Sequence, residues 1–210
     1  MRVLFVCTGN TCRSPMAEEL FRKKIGELGQ RCEIEVQSAG LHKFKSFPVS
    51  PHAVTVLLEY GIECDREPVG INPELIEWAD LVLTMTRFHK NVAIAIFPEI
   101  IAKTFTLKEF VRSQNSLDIS DPVGKSLSTY RQCAAEIDFA LNLLLELLQV
   151  EPFSLPTPNP LPRTLPLLRW LIKLITTNYR PNNNNQTGRV KSRPVDPTAK
   201  AVTVKLRSRS

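Results

Sequence analysis

Two residues able to do chemistry stand six positions apart near the start of the chain, in Cys7-Thr8-Gly9-Asn10-Thr11-Cys12-Arg13-Ser14. Val3–Val6 before them is a short apolar run. Ser14-Pro15 after them is a helix start, with Ser suited to the N-cap and Pro to the first helical position. A tight loop between a strand and a helix N-terminus can turn successive backbone N–H groups onto a tetrahedral anion. The helix end adds unpaired donors and the positive end of its dipole. Gly9 offers a conformation that a side chain would oppose, and Asn10 tolerates left-handed geometry. Arg13 brings a planar fork for two phosphoryl oxygens. The same positive surroundings favour the thiolate of Cys7, which is the nucleophilic form. The chemistry expected is displacement at phosphorus through a phosphocysteine intermediate, with the loop dipoles and Arg13 carrying the transition-state charge. This scheme calls for neither a metal nor another cofactor.

A leaving group must gain a proton, so a general acid is needed. Asp121, in Asp118-Ile119-Ser120-Asp121-Pro122-Val123-Gly124, is the first candidate because Asp-Pro opens a loop well. Asp118 competes with it, and the spacing leaves both open.

These residues need a frame to hold them. Val3–Val6 reads as a strand buried on both faces. A helix is expected from Pro15 to about Leu28, with Gly29 as its stop. Glu33–Ser38, Asp80–Thr84 and Thr104–Leu107 read as further strands. Ser50-Pro51, Asn72-Pro73 and Arg87 open helices, and Leu127–Gln149 is a long amphipathic one with Tyr130, Ala134, Ile137, Leu141, Leu144 and Leu148 on one side. This alternation predicts an α/β fold: a three-layer α/β/α sandwich on a central four-stranded parallel sheet, with the phosphate loop between the first strand and the first helix. In such sheets ligands bind at the carboxyl ends of strands, where the Cys7 loop lies.

The chain has 210 residues, 43% hydrophobic and 23% charged, which is enough for one cored domain and an appendage. Its net charge of +6 is unevenly placed. From Glu151 onward there are 11 Lys+Arg and 2 Asp+Glu, against 16 and 19 before it. Nine of the 16 prolines also lie beyond Val150. Residues 1–150 therefore read as the phosphatase domain. Residues 151–210 read as a Pro-rich, basic, mostly disordered tail, with an amphipathic helix at 164–177. Such a tail has the composition to meet an anionic membrane or a partner, or to remain without one. Nothing in the domain calls for nucleic acid. The start is not read as a signal peptide, and no apolar run approaches the ~18 residues of a membrane span. Five cysteines in no disulfide or zinc pattern suggest free thiols in a reducing cytoplasm. Cys32, Cys64 and Cys133 are read as structural, and His52 and His89 as satisfied structural residues.

Residues 3–14 resemble the phosphate loop of the low-molecular-weight protein tyrosine phosphatase family, and Asp121-Pro122 resembles that family's general-acid loop. Ser38-Ala39-Gly40, Pro51-His52-Ala53, Ala79-Asp80-Leu81-Val82-Leu83 and Thr106-Leu107-Lys108-Glu109 are also similar, so the resemblance spans Met1 to about Gln149. It implies hydrolysis of phosphorylated protein side chains. It makes Cys7 the nucleophile, Arg13 the phosphate ligand and Asp121 acid and then base. Thr8, Gly9, Asn10, Thr11, Cys12 and Ser14 complete the loop. Ser14 supports the thiolate, Asn10 holds the loop, and Cys12 is the redox partner able to form a protective disulfide with Cys7.

Within the family the loop is most similar to that of bacterial protein arginine phosphatases. Thr11 stands where tyrosine-directed members carry an apolar branched residue, and a hydroxyl suits a guanidinium better than a phenyl ring. Val123-Gly124 replaces the aromatics that tyrosine-directed members place after Asp-Pro. The arginine branch also carries an aromatic at the position of Val123, so the substrate wall is thinner here. Phosphoarginine is slightly favoured over phosphotyrosine on these grounds. An arsenate reductase would need relay cysteines in 84–97, where there are none, and a non-catalytic phosphate binder would be expected to lack one of the three site residues.

Overall fold

A computed structural model describes residues 1–29, 33–42, 47–113 and 116–149. Cys32, the tail 151–210 and the helix expected at 164–177 lie outside the described residues. The elements run β1 (Arg2–Cys7), α1 (Arg13–Glu27), β2 (Glu35–Gly40), α2 (Pro51–Glu59), α3 (Pro73–Trp78), β3 (Leu81–Thr84) and α4 (Arg87–Ile96). A 3-10 helical stretch (Pro98–Lys103), β4 (Thr104–Thr106), α5 (Leu107–Phe110) and α6 (Leu127–Gln149) follow. The four strands are all parallel, in the order β2-β1-β3-β4.

Strand alternation splits the core into two layers. Val3, Phe5 and Cys7 of β1, with Leu81 and Leu83 of β3, face a cluster built from α1, α2, α5 and α6. Leu4, Val6 and Val82 face the other side, against Ile76 of α3, Val92, Ala93 and Ile94 of α4, and Ile100. The chain is therefore a three-layer α/β/α sandwich. Tyr130, Ala134, Ile137, Leu141 and Leu144 of α6 are buried, as their helical spacing requires. Phe5 and Phe21 meet edge to face at 5.9 Å, pinning α1 to β1 close to the loop that joins them.

Several local expectations shift. β2 starts two residues later than expected and runs on through Ala39-Gly40, because β1 pairs with it as far as Cys7 opposite Gly40. The 3-10 stretch and the four-residue α5 carry too few residues to show a period. α5 is instead marked by a capping box between Thr106 and Glu109. Ser14 is not the N-cap of α1. That position belongs to Cys12, and no side chain caps the helix. The left-handed residue in the loop is Asn10, with φ 54°, rather than Gly9. Among the described residues no helix is long and apolar enough to cross a membrane.

Candidate active site

The loop 8–12 sits at the carboxyl end of β1, clamped from outside. Its carbonyls are taken by the scaffold: Leu41 N–H donates to Cys7 O at 2.9 Å, His42 N–H to Thr8 O at 2.9 Å, and Ser50 N–H to Thr11 O at 2.8 Å. Turning the carbonyls outward is what allows successive N–H groups to face an anion. The uncapped N-terminus of α1 closes the ring.

Cys7 lies at the floor, only 3% exposed. Asn10 N–H donates to its sulfur at 3.3 Å, and the Ser14 hydroxyl lies 3.0 Å from it. Both contacts suit a sulfur carrying negative charge. Ser14 can reach it because it sits in the first turn of α1, two residues past the cap.

The left-handed turn at Asn10 is held by its own side chain. The amide nitrogen donates to Ser14 Oγ at 3.0 Å and Ser38 Oγ at 2.7 Å. Its Oδ1 accepts from Val69 N–H at 2.9 Å and from Arg66 at 3.3 Å. Arg66 also donates to Ser38 Oγ at 3.1 Å and pairs with Glu18, which is buried and pairs with Arg22 as well. A second guanidinium thus stands behind the loop. Burial lowers its pKa, and the charge of Cys7 acts in the opposite direction.

Arg13 is 4% exposed, and its guanidinium donates to Asp121 Oδ2 at 2.9 Å and Ile119 O at 3.5 Å. Asp118 is turned away from the site: it accepts from Arg87 N–H at 2.7 Å at the start of α4. The structure therefore brings Asp121, and not Asp118, onto the loop, across 108 residues of sequence. Val123 N–H donates to Asp121 Oδ1 at 3.2 Å, ordering the turn.

Together Cys7, Thr8, Gly9, Thr11, Cys12, Arg13, Asp121 and Val123 line a pocket of about 260 Å³. Thr11 and Val123 stand on its wall, and Val123 is largely exposed. An apolar groove of about 470 Å³ adjoins it, sharing Thr11, Cys12 and Val123 and adding Phe47, Pro48, Pro51 and Tyr130. The Cys12 sulfur meets the Tyr130 phenol at 3.2 Å, to which Ser50 Oγ also donates at 3.1 Å. Burial first, and the hydrogen bond with Cys12 second, push the Tyr130 phenol up to about 12.

Sequence reasoning did not find Arg66, Glu18 or Ser38 as parts of the site. A lone arginine in Asp65-Arg66-Glu67 reads as a solvated charge run, and only the packing of α1 and β2 beside it gives it a partner. Tyr130 was placed in the core stripe, with no sign that its hydroxyl would reach the loop. His89 is a satisfied buried residue as expected, but its partners include Thr8 of the loop, at 2.8 Å. Cys133 is buried, with its thiol on Ser120 O at 3.4 Å, and Cys64 is half-buried.

A cysteine-based anion loop with an arginine and an aspartate at the mouth, on a four-stranded parallel α/β/α sandwich, defines a phosphoryl-transfer enzyme of the cysteine-nucleophile type. The family model for low molecular weight phosphotyrosine protein phosphatases matches residues 2–152, so the chain belongs to that family and is a protein phosphatase. It is 44% identical over 150 residues to a protein-arginine-phosphatase of Geobacillus stearothermophilus, covering 71% of this chain and 97% of that one. It is 32% identical over 144 residues to the low molecular weight protein-tyrosine-phosphatase PtpB of Staphylococcus haemolyticus, covering 69% and 97%. Among solved structures, a YwlE arginine phosphatase mutant with a phosphorylated active-site serine superposes with a TM-score of 0.68. Its sequence identity is 39%, over 72% of this chain and 97% of that one.

Proposed function

We propose that the chain dephosphorylates phosphoarginine in proteins, with Cys7 as nucleophile, Arg13 as phosphate ligand and Asp121 as general acid and base. The observation that carries this is the convergence of the Cys7 sulfur, the Arg13 fork and the Asp121 carboxylate on one small pocket. An incoming phosphoryl group takes the Arg13 fork from Asp121, leaving that carboxyl beside the scissile bond. Cys7 attacks phosphorus, the S–P bond forms, the P–N bond breaks, and Asp121 gives its proton to the departing guanidine nitrogen. Water then attacks the phosphocysteine, Asp121 takes back a proton, and the S–P bond breaks to release phosphate. Asn10 and Ser14 support the sulfur, and Thr8, Gly9, Thr11 and Cys12 supply the rest of the cradle.

The arginine preference is supported by the Thr11 hydroxyl on the pocket wall and by the protein-arginine-phosphatase at 44% identity. A second reading, phosphotyrosine, is favoured by the apolar groove with Phe47, Pro48 and Pro51, which suits a phenyl ring. Turnover of a phosphoarginine peptide and a phosphotyrosine peptide, side by side with Cys7→Ser as control, separates the two. Higher kcat/KM on phosphoarginine, reversed in Thr11→Ile, supports the first reading; preference for phosphotyrosine overturns it.

Residues 1–150 are taken as the catalytic domain, supported by a family match that stops at 152, with 151–210 as an appendage suited in charge to an anionic surface. The same reading places the chain in a reducing cytoplasm and makes Cys12, which lines the same pocket as Cys7, its redox partner.

A further inference from the structure

The loop has a second support, from α4. His89, 2% exposed in the first turn of α4, lies between two hydroxyls: Nε2 is 2.8 Å from Thr8 Oγ1 and Nδ1 is 2.9 Å from Thr86 Oγ1. Thr86 Oγ1 already accepts the backbone N–H of His89, at 3.2 Å. Among the described residues Nδ1 is the one acceptor within reach of the Thr86 hydroxyl, and the tautomer that satisfies this hydroxyl is the one in which Nδ1 accepts its proton. A neutral imidazole has one N–H, which must then sit on Nε2, and this donates to Thr8. The ring is neutral at working pH: burial, and then the Arg13 charge, hold it down to about 4 against the weaker opposing pull of Asp121 and Asp118.

Thr8 Oγ1 thus accepts a hydrogen bond from inside the protein, and its own proton remains to be given. Among the described residues no other partner is found for it, and Thr8 lines the phosphate pocket. We infer that Thr8 is a substrate-binding residue whose hydroxyl donates to a phosphoryl oxygen, and that His89 is the positioning residue that fixes it as a donor. The chain Thr86→His89→Thr8→phosphoryl oxygen runs in one direction, so each bond polarises the next. This rests on the phosphatase reading of the same pocket. It adds a side-chain contact to a cradle otherwise made of backbone N–H groups and Arg13.

The test uses the full chain with Thr8→Val, Thr8→Ser, His89→Ala, His89→Gln and the Thr8→Val/His89→Ala double variant. It measures kcat/KM on a phosphopeptide and the affinity for inorganic phosphate by calorimetry. One lost hydrogen bond to an anion predicts a fall of about ten- to a hundredfold in both quantities for Thr8→Val. Thr8→Ser recovers the loss. His89→Ala falls similarly, and the double variant falls no further than either single variant. His89→Gln recovers activity because its amide nitrogen stands near the place of Nε2–H, a rescue that a merely packed histidine would not show. Thr8→Val within twofold of wild type in both measurements overturns the inference, as do losses that multiply in the double variant. If His89→Ala does not fold, the Thr8 pair and His89→Gln decide alone. Wild-type protein that binds phosphate but turns over neither a phosphoarginine nor a phosphotyrosine peptide sinks the proposed function, while the phosphate affinities still decide the relay.

Discussion

Replacing Gly40 by alanine should damage the site without replacing any residue that meets substrate. The carboxyl end of β2 passes directly behind the loop. A Cβ on Gly40 would lie 2.6 Å from the Gly9 carbonyl carbon, 2.8 Å from Asn10 N and 2.9 Å from Gly9 Cα. All three are backbone atoms, so no side chain can swing aside. Ordinary contact begins near 3.4 Å, so the two backbones must part by 0.8 Å. Gly40 is held by Val69 O on its N–H and by Ile71 N–H on its carbonyl, each at 2.8 Å, and by its pairing with Cys7. The loop is the partner that yields. The bond from Asn10 N–H to the Cys7 sulfur, already 3.3 Å long, is then lost or bent, and the cradle moves against Arg13. A misplacement of about 1 Å can cost on the order of 10²-fold in rate. Overpacking of this kind costs about 1–3 kcal/mol of stability. Steady-state kinetics on a chromogenic phosphomonoester should show kcat/KM down by about two decades. Thermal unfolding should show a Tm lower by several degrees. A Gly40→Ala protein with kcat/KM within threefold of wild type would refute the argument that this close approach positions the loop.

Arg66→Met leaves Glu18 buried with Arg22 alone and removes one holder of Asn10. It should cost about 2–4 kcal/mol in urea unfolding, and adding Glu18→Gln should return part of it; an unchanged midpoint would show that the buried pair is not needed. His89 makes stability depend on pH. The unfolded imidazole takes up a proton near 6.5, whereas the folded one resists until about 4. The unfolded state thus binds more protons in that window, and stability falls as pH drops from about 6.5 towards 4, by at most about 3 kcal/mol. His89→Gln should flatten this segment of the curve, and an unaltered slope would place the titration elsewhere. Burial pushes the Cys133 thiol up to about 12. Iodoacetamide at pH 7 followed by mass spectrometry should therefore leave Cys133 unmodified until the protein is unfolded, and labelling of Cys133 in the folded protein would contradict its placement.

Much of the frame was legible because it depends on near neighbours. Asn72 caps α3 by accepting from Leu75 N–H at 2.8 Å, and Ser50-Pro51 opens α2, as such pairs do wherever the chain is free to turn. The apolar run at Val3–Val6 could only be satisfied by burial on both faces. The α6 stripe needed one partner surface and found it. Boundaries slipped where pairing took over: β2 extends to Gly40 because β1 offers a partner as far as Cys7. Of the site, Cys7, Arg13 and the loop between them were legible for the same reason, since one strand–turn–helix unit contains them all.

What the chain's order alone determined, then, is which residues stand together in the loop between β1 and α1. Which carboxylate faces them was decided only by the fold: Asp118 and Asp121 are three residues apart, and the packing of the loop before α6 turned one to Arg87 and the other to Arg13. Tertiary structure likewise recruited Arg66, Glu18 and Ser38 behind Asn10, and His89 behind Thr8. Polar partners of this kind leave no periodicity in a sequence. A hydrophobic stripe must recur along its own helix to be buried, but one hydrogen bond needs only one residue, brought within 3 Å by whatever elements happen to be neighbours.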